Sequence, residues 1–369
     1  MSIDRILERA VAGERLGLED GIRLFESDQI EKMGHYANLI MEKWHPEPIT
    51  TFVIGRNVNY SNVCDTCCRF CAFYRTVGDQ DAYVLSDEEI LQKIQETQDV
   101  NGTEILMQGG THPDLPLTYY TNLLRKIKSR FPKITMHSFS VAEILKMAEV
   151  SGISVEKVLL ELKEAGLDSL PGAGAEILDD RIRLKVSRQK GSWMQWVDVM
   201  KTANRVGLTT TGTMVIGLGE TYEERVLHLM RTREAQDESK GFLAFISWTF
   251  QPDNTHLDMK RLTGEDYLKN VAISRLMIDN IANFQSSWVT MGPEIGKLSL
   301  KYGCNDFGST MMEENVVSAA KCAFKVNTNQ IIELIREAGK IPAQRNTNYD
   351  ILRIFKEGET IETDFVMQN

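Results

Sequence analysis

The chain has 369 residues, with 42 Lys and Arg against 52 Asp and Glu, a formal net charge of -10, and six cysteines. That balance excludes a polyanion binder, which needs clustered cations to displace counterions, and no run approaches the roughly 20 apolar residues of a membrane span. No nucleic-acid partner, no membrane association and a cytoplasmic location are therefore expected, and the opening MSIDRILERAVAGERLGLEDG, which mixes acids and bases, reads as neither a signal nor a transit peptide.

Residues 3–44 are predicted helical, since Ile22, Phe25, Ile30, Met33, Ala37 and Ile40 recur at three- to four-residue intervals. At Thr51 the pattern turns to a β-branched run, TFVIGRNVNYS, which predicts a strand leading into the cysteines. LSDEEILQKIQ then opens a helix with Ser86 and Glu89 spaced as a capping box. The strand TEILMQ, a helix near 117–130, the strand ITMHSF and helices over 141–165 follow, with Gly166 where a helix-ending glycine belongs. After the short DSL comes a Trp-rich helix from Ser192 to Val206, then TTTGTMVIG, whose β-branched residues predict a strand buried on both faces. FLAFISWTF, SSWVTM and GCNDFG complete eight strand candidates.

Alternating strands and helices imply parallel strands with crossover helices, and eight units favour closure over an open sheet. The expected fold is an α/β (β/α)8 TIM-type barrel over residues 49–325. A helical extension over 1–48 precedes it, and a C-terminal helix and tail over 326–369 packs on it. The cysteine loop, MQGGTHP, HSFS, LPGAGAE, VIGLGE, SWTFQP and NDFG then all fall at strand C-terminal ends, where barrel chemistry gathers.

Four cysteines within residues 64–71 point to a metal rather than to disulfides. CDTCCRFCAFYR parses in two ways. As C-x-x-x-C-x-x-C it offers Cys64, Cys68 and Cys71, three thiolates for a four-iron cluster with one iron left open. As two C-x-x-C pairs it adds Cys67 and resembles a zinc site, although structural zinc pairs are separated by longer loops. Cys67, Cys304 and Cys322 are read as structural thiols, since lone cysteines commonly fill cores.

The spacing, with Phe70 in the aromatic position of C-x-x-x-C-x-aromatic-C, resembles the radical S-adenosylmethionine superfamily. The resemblance implies a 4Fe-4S cluster on Cys64, Cys68 and Cys71 whose open iron chelates the methionine part of S-adenosyl-L-methionine, and whose electron breaks the sulfonium bond to give a 5'-deoxyadenosyl radical. It places Phe70 and Phe73 at the cofactor, and Gln108 with Gly109 near the methionine amino group, where glycine permits close backbone approach. An ordinary βα turn is the alternative for the glycines. Glu176 would meet the ribose or stand as a solvated helix-start carboxylate. Val215 and Gly217 of VIGLGE would meet the adenine. Ser138 and Ser140 would bind the methionine carboxylate or cap the next helix.

From about residue 50 to 355, the segments GGTHPDLPLTYY, HSFSVAEI, SLPGAGAEIL, TGTMVIGLGET, SWTFQP and GCNDFGSTMMEENV resemble the menaquinone- and deazaflavin-pathway branch. Within it, THPDLP, SLPGAGAEIL and SWTFQP are most similar to the dehypoxanthine futalosine cyclase family, with the aminofutalosine synthases as the alternative. The resemblance implies dehypoxanthine futalosine as the small-molecule substrate and ring closure from its ribose C4' onto its benzoate ring. It also implies a base for the final deprotonation and a reducing partner such as flavodoxin or ferredoxin. His112 is the candidate base or carboxylate contact, or else a loop histidine bonded to backbone. Asp306, with Asn305, would orient ribose hydroxyls or cap a helix. Trp248 and Phe250 would flank the aromatic substrate or pack the rim, and Arg183 and Arg345 would meet carboxylates or lie on the surface. Cys67, a thiol beyond the three ligands, is expected to point away. Outside this chemistry stand a zinc-stabilised binding protein and an electron-transfer iron-sulfur protein.

Overall fold

A computed structural model describes residues 2–362 and 364. Three helices, α1 (Ile3–Val11), α2 (Leu18–Glu26) and α3 (Ile30–Trp44), precede the sheet. The first strand segment is β1 (Ile49–Val53), continued past Ile54 as β2 (Gly55–Val58). Then come α4 (Asp87–Asp99), β3 (Glu104–Met107), α5 (Leu117–Arg130), β4 (Thr135–Ser138), α6 (Val141–Ser151), α7 (Val155–Ala165) and β5 (Ser169–Leu170). The second half runs α8 (Asp180–Val186), α9 (Trp193–Arg205), β6 (Thr209–Ile216), α10 (Tyr222–Ser239), β7 (Phe242–Thr249), α11 (Gly264–Met277), β8 (Asn283–Gln285), α12 (Trp288–Met291), α13 (Pro293–Ser299) and β9 (Asp306–Ser309). Helix α14 (Thr328–Glu337), β10 (Ile341–Arg345) and β11 (Ile351–Ile354) end the described chain.

The strand order is β11-β10-β1-β9-β8-β7-β6-β5-β4-β3-β2, and every pairing except β10 with β11 is parallel. Because β1 and β2 are one run of chain, that order closes on itself: β1 pairs with β9 while β2 pairs with β3. Counting β1 and β2 as one, eight parallel strands form the expected barrel. Strand β10 pairs with β1 near the strands' N-terminal ends, so the segment after α14 adds two strands to the sheet as well as the expected helix.

Two readings of the strands need correction. SSWVTM is not a strand: Trp288–Met291 is helical and the strand is the preceding Asn283–Gln285. Tertiary packing overrides propensity there, with the Trp288 indole donating to the Ser309 carbonyl at 3.1 Å. Strand β6 is not buried on both faces either. Thr210, Gly212, Met214 and Ile216 are buried while Thr209, Thr211, Thr213 and Val215 are only half-buried, so one face packs under helices and the other borders an incompletely filled interior.

Local chemistry sets the helix ends as expected. Ser86 and Glu89 form the capping box of α4, Ser192 and Gln195 that of α9, and Gly166 ends α7 with a φ of 116°, a conformation glycine adopts without strain. The N-terminal extension lies against α10 and α11. A Cβ on Gly21 would stand 2.7 Å from Val226, and Arg233 of α10 donates to the carbonyls of Leu16 (3.1 Å) and Met277 (2.9 Å). Leu24 and Phe25 of α2 and Met33 and Ala37 of α3 are buried in the same continuous core as the barrel, each large side chain contributing about 1.5–3 kcal/mol. Among the described residues no helix is long and apolar enough to cross a membrane.

Candidate active site

The cysteine loop leaves β2 at the C-terminal mouth of the barrel. A bridge between Val63 and Arg75 closes it, with the Cys64 amide donating to the Arg75 carbonyl at 2.8 Å. Strand β3 fixes it from one side. A Cβ on Gly110 would lie 2.0 Å from the Val63 carbonyl oxygen and 2.5 Å from the Cys64 Cβ, and one on Gly109 would lie 2.5 Å from the Tyr60 ring. Both glycines are thus required by close approach, not merely by a turn. The next residue, Thr111, donates its amide to the Cys64 sulfur (3.4 Å) and sets its hydroxyl 3.2 Å away.

Behind this glycine turn lies Glu143, 2 % exposed. It accepts hydrogen bonds from the Tyr60 hydroxyl (2.7 Å) and the amides of Gly109 (3.0 Å) and Ser140 (2.7 Å). Burial pushes its carboxyl up to about 7 even though those bonds pull the other way. Ser140 is the N-cap of α6, whereas the fully buried Ser138 hydroxyl has no partner.

The other side of the loop rests on the C-terminal end of α8, with the Arg69 amide donating to the Val186 carbonyl at 2.9 Å. Glu176, with φ 41°, is buried and lies ahead of α8 rather than at its solvated start, because Asp179 caps that helix. Its Oε1 accepts from the Lys190 ammonium at 2.8 Å, and its Oε2 is buried, lies 3.8 Å from Arg183 and has no hydrogen bond. Arg183 is no surface residue. It is 2 % exposed and donates to the carbonyls of Gly174, Ala175, Lys190 and Gly191, clamping the end of β5 to the turn that carries Lys190. Lys190 also stands 5.0 Å from the centroid of the Phe70 ring.

Burial pushes the Cys68 thiol up to about 12 and raises Cys71 as well. Such thiols ionise when a metal replaces the proton. Cys67, at φ 48°, directs its sulfur to the Cys64 carbonyl at 3.6 Å. Among the described residues no three His, Cys, Asp or Glu side chains converge on a single ion. The ligands of a four-iron cube stand farther apart, one at each corner.

The remaining candidates divide. Val215 donates its amide to the Glu176 carbonyl at 2.8 Å, so the β6 end and Glu176 adjoin. Gly217, at φ 96°, donates its amide to Glu220, whose carboxylate also receives Leu218 and pairs with Arg225. Gln108 is half-buried and donates to the Phe139 carbonyl at 3.3 Å, while Phe73 packs edge-on against Tyr83. Phe250 is buried and Trp248 half-buried beside Val215 in the β6–β7 register.

His112 accepts the Asp114 amide at Nδ1 (3.1 Å), and burial lowers its pKa. With that lone pair engaged, the neutral ring presents an Nε2–H donor, which suits a contact rather than a base. Asp306 does not end a strand as expected. It opens β9, is fully buried, and is bound by Arg345 (2.5 and 2.9 Å) and the Thr51 hydroxyl (2.5 Å). Asn305 is turned outward onto Arg275 at 3.1 Å. A cavity of about 830 Å³ lies between α4 and residues 312–325 and includes none of the cluster cysteines. Its Arg56, Glu96, Lys93 and Glu313 side chains pair with one another.

Residues 58–230 match the Radical SAM superfamily and residues 239–358 match the CofH/MqnC C-terminal region. The chain is 70% identical to cyclic dehypoxanthine futalosine synthase of Halalkalibacterium halodurans over 370 residues, covering all of both chains. The chain belongs to the radical SAM superfamily. It is also 36% identical to aminodeoxyfutalosine synthase of Thermus thermophilus, over 96% of this chain and 97% of that one. The structure of methylornithine synthase superposes with a TM-score of 0.72 at 17% identity, over 92% of this chain and 97% of that one, a likeness of fold.

The superfamily works with a 4Fe-4S cluster and S-adenosylmethionine, and the residues here fit both. One loop supplies three thiols, two glycines leave no room for side chains behind it, and the Glu176 carboxylate oxygen and Ser138 hydroxyl are buried without partners. Lys190, Glu143 and Thr111 are not among the residues the sequence pattern picks out, whereas Arg183, expected to meet a carboxylate or lie on the surface, is buried against backbone carbonyls. Only Glu143 carried a local signal, three residues after Ser140 in a capping-box spacing.

Proposed function

We propose that this chain cyclises dehypoxanthine futalosine to cyclic dehypoxanthine futalosine in the futalosine route to menaquinone. The observation that carries the reading is the 70% identity over the full length of both chains to a cyclic dehypoxanthine futalosine synthase. The cluster on Cys64, Cys68 and Cys71, reduced by a small carrier such as flavodoxin or ferredoxin, supplies one-electron cleavage of S-adenosylmethionine and hence the hydrogen-abstracting radical.

The protein's part is placement. Gly109 and Gly110 hold the cysteine loop against β3, and Thr111 orients the Cys64 sulfur. Glu176 offers its unpaired oxygen to the ribose, while the backbone at Val215 and Gly217 borders the adenine. Phe70 and Phe73 keep water from the loop, and Trp248 beside Val215 faces the aromatic part of the substrate. His112 donates from Nε2 to the substrate carboxylate at the rim.

Ring closure transfers one hydrogen atom from the substrate to the deoxyadenosyl group, and rearomatisation then gives up one electron, for which the oxidised iron-sulfur centre would be the acceptor, and one proton to solvent. The product is therefore lighter than the substrate by two hydrogens. Reduced, reconstituted protein incubated with S-adenosylmethionine and dehypoxanthine futalosine is expected to yield that product together with 5'-deoxyadenosine, read by mass spectrometry. Deoxyadenosine formed without a lighter product would move the chain to another reaction of the branch.

A further inference from the structure

Lys190 is absent from the roles assigned above, yet its ammonium stands against the cluster loop. Its side chain is 16% exposed, and its ammonium lies between Glu176 Oε1 at 2.8 Å and the Phe70 ring at 5.0 Å. Phe70 stands between Cys68 and Cys71 in the chain. The Val186 carbonyl that receives the Arg69 amide also ties this segment to the cysteine loop.

Arg183, Glu176 and Lys190 together carry one net positive charge. The Arg183 guanidinium is engaged by four backbone carbonyls, which leaves Lys190 as the end nearest the cysteines. Arg69 and Arg188 are exposed, where solvent screens their fields. An oxidised 4Fe-4S cluster with three thiolates has net charge -1, and one electron from an external reductant makes it -2. A cation fixed in a poorly hydrated place stabilises the second state more than the first.

We propose that Lys190 is a positioning and tuning residue whose ammonium raises the reduction potential of the cluster, with Glu176 opposing it from behind. The proposal rests on the reading that Cys64, Cys68 and Cys71 hold the cluster. Iron and sulfide content therefore has to be measured alongside potential, and wild-type protein that binds no cluster would refute that reading rather than the tuning.

The experiment is a potentiometric titration, followed by electron paramagnetic resonance and without S-adenosylmethionine, of full-length wild type, Lys190→Met, Lys190→Arg, Glu176→Gln and Arg188→Gln at equal iron and sulfide content. Lys190→Met is expected to lower the reduced-to-oxidised ratio at a fixed potential about tenfold, which is about 59 mV for a one-electron couple. Lys190→Arg should restore it, Glu176→Gln should shift it the opposite way, and Arg188→Gln should stay within twofold of wild type. A lysine that only braces Glu176 would weaken S-adenosylmethionine binding and leave the potential alone. Lys190→Met and Glu176→Gln both within twofold of wild type, or shifting the same way, would overturn the proposal. Should Lys190→Met fail to load a cluster, an unshifted or lowered potential in Glu176→Gln overturns it equally.

Discussion

The floor and the mouth of the barrel are both lined with buried polar groups, but they are satisfied differently. At the floor, Asp306 is held by Arg345 and Thr51, Glu104 accepts from Thr347 at 2.7 Å, and His137 meets the Ser169 hydroxyl at 2.6 Å. At the mouth, the Ser138 hydroxyl and one Glu176 oxygen are buried without partners, and the free thiols of Cys64, Cys68 and Cys71 lie on one loop. A buried polar group left unpaired costs about 1–3 kcal/mol. The Thr103 and Thr209 hydroxyls at strand starts are unpaired as well, but the Glu176 oxygen and Ser138 hydroxyl lie at the strand ends on the side that carries the cysteine loop, where a bound cofactor can complete them. The charged groups of the floor form a closed plug, and the mouth is a socket.

The sharpest way to break that comparison is to remove a thiol. Cys68→Ala should abolish iron loading and cut S-adenosylmethionine cleavage by more than about 1,000-fold, since one lost ligand removes the cluster that splits the sulfonium. Cys67→Ala should keep full iron and sulfide content, because that sulfur already points at the Cys64 carbonyl. Loss of iron in both variants would show that the two thiols share one role.

At the floor the expected effect is on stability instead. Arg345→Met strands the fully buried Asp306 carboxylate and should cost about 3–5 kcal/mol in urea unfolding. Asp306→Leu combined with Arg345→Met should recover much of that loss, which a catalytic Asp306 would not permit without loss of turnover.

The same division explains what was legible in the sequence. The alternation of strands and helices, the Ser86–Glu89 box, the Gly166 stop and the cysteine spacing are local patterns, and the structure carries each of them. Asp306 was misjudged because a carboxylate at a strand start and one at a strand end look alike in one dimension, and its partner Arg345 is 39 residues away. The burial of Arg183 is equally invisible along the chain, because its partners are the backbone carbonyls of two separate turns. SSWVTM misled through its β-branched content, while the three residues that form β8 are too few to show a period.

Gly110→Ala sharpens the comparison at the seam between loop and sheet. The added methyl would meet the Val63 carbonyl oxygen at 2.0 Å, and backbone cannot swing aside as a flexible side chain can. A loss of about 3 kcal/mol is expected, together with a cluster content below that of wild type at equal protein. A fully loaded Gly110→Ala protein would mean that the loop is not held by this contact.

The smallest effect expected is a pH dependence at Glu143, a buried carboxylate that braces the mouth while being fully bonded within the protein. Burial raises its carboxyl from the ordinary 4.5 to about 7, and the hydrogen bonds from Ser140, Tyr60 and Gly109 only partly oppose that rise. A folded pKa above the unfolded one means that the native state binds the proton more tightly. The stabilising contribution is therefore complete below about pH 4.5 and is lost as the pH climbs through 7. Comparing wild type with Glu143→Gln removes the other titrating groups common to both. The stability of wild type relative to the variant should fall by on the order of 1–3 kcal/mol between pH 5 and pH 8, measured by urea unfolding. A flat difference across that range would mean that the carboxylate stays ionised throughout, its three donors outweighing burial, and Glu143 would then belong with the finished bonds of the floor.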